Sequence, residues 1–185
     1  IGCQSKETDR NGGSGLKGQH FLMAWYTSWG GAMDGTWAWQ IGASHMHEFY
    51  QNPLAAYALL YDKDINEGMK ASNATSDYEE SFKRQMELYL WLQSADGPIA
   101  GGCTNSYSGR YEKYPSGVST FYDMAYIEHP VYADPGSNHW IGNQVWAVQR
   151  LAELYYYVKT EGSNYSGKIG GLTLEEALKT ILDRW

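Results

Sequence analysis

Tryptophan is concentrated in one glycine-rich stretch of this chain, WYTSWGGAMDGTWAWQ, which spans residues 25–40. Four tryptophans and one tyrosine fall within fifteen positions, interleaved with Gly30, Gly31 and Gly35. A core helix would space these rings at about 3.6 residues, and a regular strand would not carry three glycines. Flat rings on glycine-rich turns suit a flat, partly apolar ligand such as a sugar ring. The segment therefore predicts carbohydrate chemistry, with an aromatic corner of the core as the alternative.

Composition narrows the classes of partner. The chain has 185 residues, 43% of them apolar, enough for one domain or part of one. A formal net charge of −7 argues against nucleic acid, because phosphates require a basic face. No apolar run approaches the length of a membrane span. Sixteen tyrosines and eight tryptophans stand beside only four phenylalanines, and Tyr and Trp combine an apolar face with the polar group that a wet groove requires.

Helix signals divide the chain into four helical segments. Asn52-Pro53 predicts a cap and a first-turn proline before a short helix over 54–60. Ser76-Asp-Tyr-Glu79 reads as a capping box that opens a helix to about Ala95, and Thr173-Leu-Glu-Glu176 reads as a second one. A further helix is predicted from about His139 to Lys159.

Apolar periodicity predicts which side of each long helix is buried. In the helix after Ser76 the stripe is widened near its end by Leu88, Trp91 and Leu92, which predicts burial on more than one side. The stripe itself consists of Phe82, Met86, Tyr89 and Leu90. In the helix from His139 the expected core stripe is Ile141, Val145, Val148, Ala152 and Tyr155.

No segment shows convincing strand alternation, so the sequence predicts an all-α fold with long aromatic and glycine-rich loops. Besides the Trp cluster, two of these loops are rich in hydrogen-bonding groups, at residues 101–112 and 129–140. Loops held by a rigid scaffold commonly carry binding sites. The chain begins inside a polar stretch and stops directly after a helical pattern, so we expect residues 1–185 to be a segment of a larger domain and not an independent folding unit.

Three weaker patterns leave alternatives open. His45, His47 and Glu48 could bind a metal ion, but a His-X-His pair without a third defined ligand is a weak signal. Asp123, Glu128 and Asp134 could form a local acid and base set, although capping of loops or helices explains each equally well. A disulfide between Cys3 and Cys103 is also open.

The long irregular strings of this chain carry a family resemblance. GGCTNSYSGRYEKYPSGVSTFYDMAYIEHPVYADPGSNHWIGNQVWAVQRLAE and the upstream WYTSWGG and GTWAWQIGASHMHEFYQNPLAAYAL resemble glycoside hydrolase family 48, the processive cellulases. The similarity is collinear and covers nearly the whole chain, becoming less distinctive after Lys159. Tyr107 stands where the family has Trp, Ile141 where Phe is usual, and Val118 where Thr is common. These departures leave the fine substrate preference open.

The resemblance implies a fold and a reaction. The fold would be a segment of an (α/α)6 barrel, and the reaction inverting hydrolysis of β-1,4-glucan with release of cellobiose. Inversion needs a carboxylic acid and a carboxylate roughly 6.5–9.5 Å apart. The resemblance places that pair upstream of Ile1, so no catalytic residue is expected in this chain and the isolated chain should be inactive.

The resemblance also implies roles for individual residues. Asp134 matches an aspartate that holds a calcium ion together with ligands from elsewhere in the domain, and no organic cofactor is expected. The residues that match sugar-stacking aromatics are Trp25, Trp37, Trp39, Tyr50, Tyr132, Trp140 and Trp146.

The partners implied are a cellulose chain or cello-oligosaccharide, the rest of the catalytic domain and, through a module outside this chain, a cellulosome scaffold. The implied location is extracellular. A chitin-acting member of the family, a non-catalytic carbohydrate-binding protein and a helical interaction protein with core aromatics are the alternatives.

Overall fold

Helices account for most of the part of the chain that can be described. The computed structural model describes residues 20–23, 45–93, 101–104, 107, 114–128 and 141–185. These ranges contain helices α1 (Pro53–Tyr61), α2 (Lys63–Gly68), α3 (Ala74–Trp91), α4 (Ile141–Glu161) and α5 (Leu174–Arg184). The expected predominance of helix is confirmed there. Across the same ranges, none of the helices combines the length and apolar character needed to cross a bilayer.

Two of the predicted helix starts are confirmed by their caps. The Asn52 side chain accepts a hydrogen bond from the Ala55 amide at 3.1 Å, ahead of Pro53 at the start of α1. At α5, the Thr173 hydroxyl accepts from the Glu176 amide at 3.3 Å, and the Glu176 carboxylate accepts from the Thr173 amide at 2.8 Å. This reciprocal pair satisfies amide donors that the first helical turn leaves free.

The start of α3 differs from the prediction. The helix begins at Ala74, so Ser76 lies inside its first turn and forms no capping box with Glu79. The Ser76 hydroxyl instead donates to the Asn73 carbonyl at 2.9 Å. The predicted burial of this helix on more than one side is confirmed, because Phe82, Met86, Leu88 and Tyr89 are fully buried.

A four-stranded antiparallel sheet corrects the expectation that the chain has no strands. Its strands are β1 (His45–His47), β2 (Gly102–Thr104), β3 (Thr120–Phe121) and β4 (Met124–Ile127), in the spatial order β1-β2-β4-β3. Met46 pairs with Cys103, and Cys103 pairs with Tyr126. One face of this sheet packs on the end of α3, where the Trp91 ring centroid lies 5.4 Å from that of Phe121.

This sheet could not be predicted from the sequence, for two physical reasons. Its strands are two to four residues long, too short for a period-two pattern to register. The β3–β4 turn places Tyr122 and Asp123 at φ of 47° and 62°. Hairpin turns with this left-handed conformation usually have the sequence Asn-Gly, which is absent here. Gly102 is needed for close strand approach, because a Cβ there would lie 2.0 Å from the Met46 carbonyl oxygen.

Helix α4 packs on α5 and on the segment around α1, but through a different stripe from the predicted one. Ala147, Leu151 and Leu154 are fully buried and Val158 nearly so. The predicted stripe is wrong as a core stripe, because Ile141 is 75% exposed, Val145 is 49% exposed, and Ala152 is exposed as well. The two apolar stripes lie roughly a third of a turn apart around the helix, and periodicity alone does not say which one meets the core.

Candidate functional site

Two of the predicted sugar-stacking residues, Tyr50 and Trp146, fall in the described part of the chain. Tyr50 ends a single 3-10 turn formed by Glu48–Tyr50, and Trp146 lies in the second turn of α4. The remaining predicted site residues lie outside the described residues: Trp25, Trp37, Trp39, Tyr132, Trp140 and the calcium candidate Asp134.

The structure brings Tyr50 and Trp146 next to the same buried ring. The Phe49 ring centroid lies 4.0 Å from that of Tyr50 and 6.3 Å from that of Trp146, with interplanar angles of 42° and 39°. Phe49 is 4% exposed, whereas Trp146 is 54% exposed. Trp146 is therefore not a core residue, and we call Phe49, Tyr50 and Trp146 the first aromatic triad.

Arg150 fixes the backbone that carries this triad. It lies one helical turn after Trp146, and its Nη1 donates to the Phe49 carbonyl at 3.1 Å and the Gln51 carbonyl at 3.0 Å. Its guanidinium carbon is also 5.8 Å from the centre of the Trp146 ring, within the range of a cation–π contact. One side chain on α4 thus holds the backbone on both sides of Tyr50 and also contacts the Trp146 ring.

Buried polar side chains form further hydrogen bonds in and around this short segment. The Gln51 amide group donates to the Met23 and His47 carbonyls at 2.8 and 2.9 Å, and its oxygen accepts from the Met23 amide at 2.9 Å. From α3, Gln85 accepts from the Asn52 amide at 2.7 Å. Buried backbone groups need such partners, and fully satisfied polar networks hold a single arrangement.

Tyr89 of α3 also holds the backbone of the segment that carries the triad. Its hydroxyl donates to the Glu48 backbone carbonyl at 2.6 Å. Burial raises the pKa of Tyr89 well above its usual value, the Glu48 carboxylate adds to the rise, and Arg150 opposes it. The hydroxyl therefore stays protonated and remains a hydrogen-bond donor throughout the physiological pH range.

Part of the second predicted loop is core rather than binding surface. Gly102–Thr104 is a buried strand in the middle of the sheet, with Cys103 fully buried. Cys103 is a free thiol, so it forms no disulfide, and burial raises its pKa. The prediction that residues 101–112 line a site as a loop is therefore wrong for this strand.

The described acidic candidates do not resemble a catalytic pair. Asp123 and Glu128 are both exposed, whereas a general acid needs burial to raise its pKa. Nor do the described side chains contain any group of three metal-ligating residues close enough to hold an ion. The His45 side chain lies outside the described part, so the His45, His47 and Glu48 hypothesis stays a prediction.

Sequence reasoning missed Phe49, which is the centre of the triad. A single buried ring next to Tyr50 has no periodic pattern, because a 3-10 turn of three residues is too short to show one. Arg150 carried a usable signal: it stands four residues after Trp146, a spacing that places two side chains on the same helical face.

The arrangement offers an exposed indole beside a guanidinium, and a half-buried phenol on the backbone that this guanidinium holds. Ring faces contact apolar surfaces, while the phenol and guanidinium donate hydrogen bonds at the edges. These are the groups that bind a sugar, whose ring faces are apolar and whose edges carry hydroxyls.

Comparison with known proteins identifies several similar proteins. It is 53% identical over 173 residues to endoglucanase F of Ruminiclostridium cellulolyticum, which covers 94% of this chain and 22% of the relative. It is 53% identical over 169 residues to a cellulose 1,4-beta-cellobiosidase (reducing end) of Acetivibrio thermocellus, covering 91% of the chain and 22% of the relative. With exoglucanase-2 of Thermoclostridium stercorarium it shares 47% over 176 residues, 95% of the chain and 17% of the relative.

The chain therefore spans about a fifth of the length of these relatives. The model of glycosyl hydrolase family 48 matches residues 1–166. Since the match covers most of the chain, this protein belongs to glycosyl hydrolase family 48.

Proposed function

We propose that the protein containing this chain hydrolyses β-1,4-glucan with inversion and releases cellobiose. Family membership and relatives whose names describe cellulases support this activity. An inverting reaction needs a general acid and a general base on opposite sides of the scissile bond, with a water between the base and the sugar. Both groups are assigned to parts of the protein outside residues 1–185.

The contribution of this chain is to hold the glucan. The observation that carries this role is the first aromatic triad, in which Arg150 and the buried Phe49 hold Tyr50 and the exposed Trp146 in fixed positions. Stacking on a ring face makes few directional demands, so a polymer can slide along it between cleavage steps. Trp25, Trp37, Trp39, Tyr132 and Trp140 are assigned the same role.

The remaining features of the proposal concern the whole protein. The helices of this chain form part of an (α/α)6 barrel, and the rest of the catalytic domain completes it. Asp134 supplies one carboxylate to a structural calcium ion, which prefers oxygen ligands. The protein acts outside the cell on cellulose or cello-oligosaccharides, and a module outside this chain attaches it to a cellulosome scaffold.

Two other functions compete with this one. A chitin-acting family member would use the same triad, and the departures at Tyr107 and Ile141 leave its substrate preference open. A non-catalytic carbohydrate-binding protein would bind glucan without turnover. The triad also fits these alternatives, whereas the names of the relatives favour cellulose cleavage.

Products of the whole native protein test the proposal. We expect cellobiose from amorphous cellulose, no products from chitin, and the α-anomer of the product in the first minutes by NMR. Trp146→Ala should raise KM for cello-oligosaccharides about ten-fold through lost stacking, while Trp146→Phe, which keeps a ring, should lose less. Binding without products, or products from chitin alone, would overturn the cellulase assignment.

A further inference from the structure

A second cluster of three rings repeats the design of the first aromatic triad. The buried ring here is Tyr57, which is 4% exposed. Its centroid lies 4.7 Å from that of Tyr61 on α1 and 5.9 Å from that of Tyr157 on α4. In both clusters a buried ring therefore contacts one ring on its own segment and one more exposed ring on α4. We call Tyr57, Tyr61 and Tyr157 the second aromatic triad.

The second triad lines an open groove between α1 and α4. The groove has a volume of about 280 Å³, and its other lining residues include Leu54 and Ala58. Asp62 and Lys63 stand at its rim and are exposed. The floor is fixed, because the Tyr57 hydroxyl accepts a hydrogen bond from the Asn164 amide at 2.8 Å.

Helix geometry places the two triads in line. Trp146 and Tyr157 are eleven positions apart in α4, which corresponds to three turns and about 16 Å along the axis on one face. Arg150 and Glu153 occupy the positions between them on that face, and the Glu153 side chain is exposed. The face thus presents a ring, a guanidinium, a carboxylate and a second ring in sequence.

We propose that the second aromatic triad is an additional binding platform for the glucan chain, separate from the first aromatic triad and reached by the same polymer along α4. This inference rests on the carbohydrate function proposed above. A polymer of β-linked glucose presents apolar ring faces at intervals, with hydroxyls at its edges. The two exposed rings of α4 receive the faces, while Glu153, Asp62 and Lys63 accept from or donate to the hydroxyls.

The charge and shape of the groove favour a polysaccharide over an apolar helix. Asp62 accepts a hydrogen bond from the Ile65 amide and Lys63 lies 3.9 Å from the Glu67 carboxylate. An apolar helix adds no polar group to either and would remove both charges from water, which is costly. A sugar chain leaves both in contact with water and with hydroxyls. Because the buried Tyr57 already fixes its two neighbours, binding requires little ordering of side chains.

Length-dependent binding to the whole native protein tests the inference. Calorimetric titration with a cello-disaccharide and a cello-hexasaccharide should show that Tyr157→Ala weakens hexasaccharide binding about ten-fold, within the range of a lost ring contact. Disaccharide binding should not change. Tyr157→Phe, which keeps the ring, should bind as the native protein does.

Tyr156→Ala is the matched control. Tyr156 is 71% exposed and adjacent in sequence, but it points about 100° away around the helix. It should bind both sugars normally. Equal losses in Tyr156→Ala and Tyr157→Ala would overturn the inference, because the effect would not belong to the groove.

The outcome also separates this inference from the proposed function. Unchanged hexasaccharide affinity in Tyr157→Ala, together with a loss in Trp146→Ala, overturns the second platform and leaves the function intact. Absence of binding by the native protein overturns both. Should Tyr157→Ala lower the melting temperature, Tyr61→Ala at the end of α1 is titrated instead, and unchanged affinity there is equally decisive against the platform.

Discussion

Helices α4 and α5 pack against each other, yet one has two apolar sides and the other has one. In α5 the buried residues are Leu174, Ala177, Leu178 and Ile181, and the other residues are polar except the half-buried Leu182. In α4 the stripe through Leu151 is buried, while the stripe through Ile141 and Val145 faces outward. A helix with one stripe is completed by one neighbouring layer, but a helix with two stripes has a side that the described residues do not cover.

The contacts between the two helices fix an antiparallel pair. Lys159 near the end of α4 lies 2.7 Å from the Glu175 carboxylate at the start of α5. At the opposite end, the Trp185 indole donates to the Gln144 side chain at 2.8 Å. The outward stripe of α4 is therefore not a consequence of loose packing, because the helix is held along its length.

The largest expected effect separates the two stripes of α4. Leu151→Ala should reduce the free energy of unfolding of the whole protein by about 2–5 kcal/mol, because it leaves a cavity in the core. Val145→Ala on the outward stripe should change it by less than about 0.5 kcal/mol. Urea unfolding with unchanged m-values measures both. Equal costs for the two variants would break the comparison, because another segment of the protein would then cover the Val145 stripe.

A smaller effect distinguishes arginines on the two helices. Arg150→Ala should cost about 1.5–3 kcal/mol, since hydrogen bonds from a charged donor to the Phe49 and Gln51 carbonyls are lost. Arg184→Ala in the exposed last turn of α5 should cost under about 0.5 kcal/mol. Tryptophan fluorescence during unfolding reports the change near Trp146. A similar cost for both variants would refute the role assigned to Arg150.

The caps give a third comparison, now between α5 and α3. Thr173→Ala should cost about 1 kcal/mol because it removes the N-cap of α5. Ser76→Ala should cost less, because Ser76 lies within α3 and does not cap it. Thermal melts of the two variants measured side by side decide the order, and a larger cost for Ser76→Ala would restore the capping box that the structure rejects.

The smallest effect is a pH dependence at the start of α5. Hydrogen bonds from the Thr173 amide and hydroxyl lower the pKa of Glu176 from its ordinary 4.5. The carboxylate therefore stabilises the helix above that value, and the contribution is lost as pH falls through the lowered pKa. The stability difference between the native chain and Glu176→Ala should be present at pH 7 and disappear in stronger acid. A difference independent of pH would exclude the charged cap.

Sequence reasoning succeeded where the signal is local. The caps at Asn52 and Thr173 depend on residues within one turn, and both are confirmed. The bounds of α4 agree within two residues with the predicted helix from His139 to Lys159. These features need no knowledge of the rest of the fold.

Prediction from the sequence failed for features that depend on contacts between residues far apart in the chain. Which of the two apolar stripes of α4 is buried depends on which neighbouring segments pack against the helix. The sheet depends on pairing Met46 with Cys103, which are more than fifty residues apart in the sequence. At the site, Tyr50 and Trp146 were predicted individually, but only the structure shows that Phe49 joins them. The barrel and the roles of the other aromatics stay predictions.

Arg150 has a consequence for how substrate holding responds to acidity. Its two acceptors at the first aromatic triad are backbone carbonyls, whose charge does not change with pH. Acidity should therefore leave the acceptors that Arg150 holds on both sides of Tyr50 unchanged. Under the proposed function, glucan affinity and turnover of the whole protein should then follow different pH profiles, because only turnover depends on the charge of catalytic carboxyl groups.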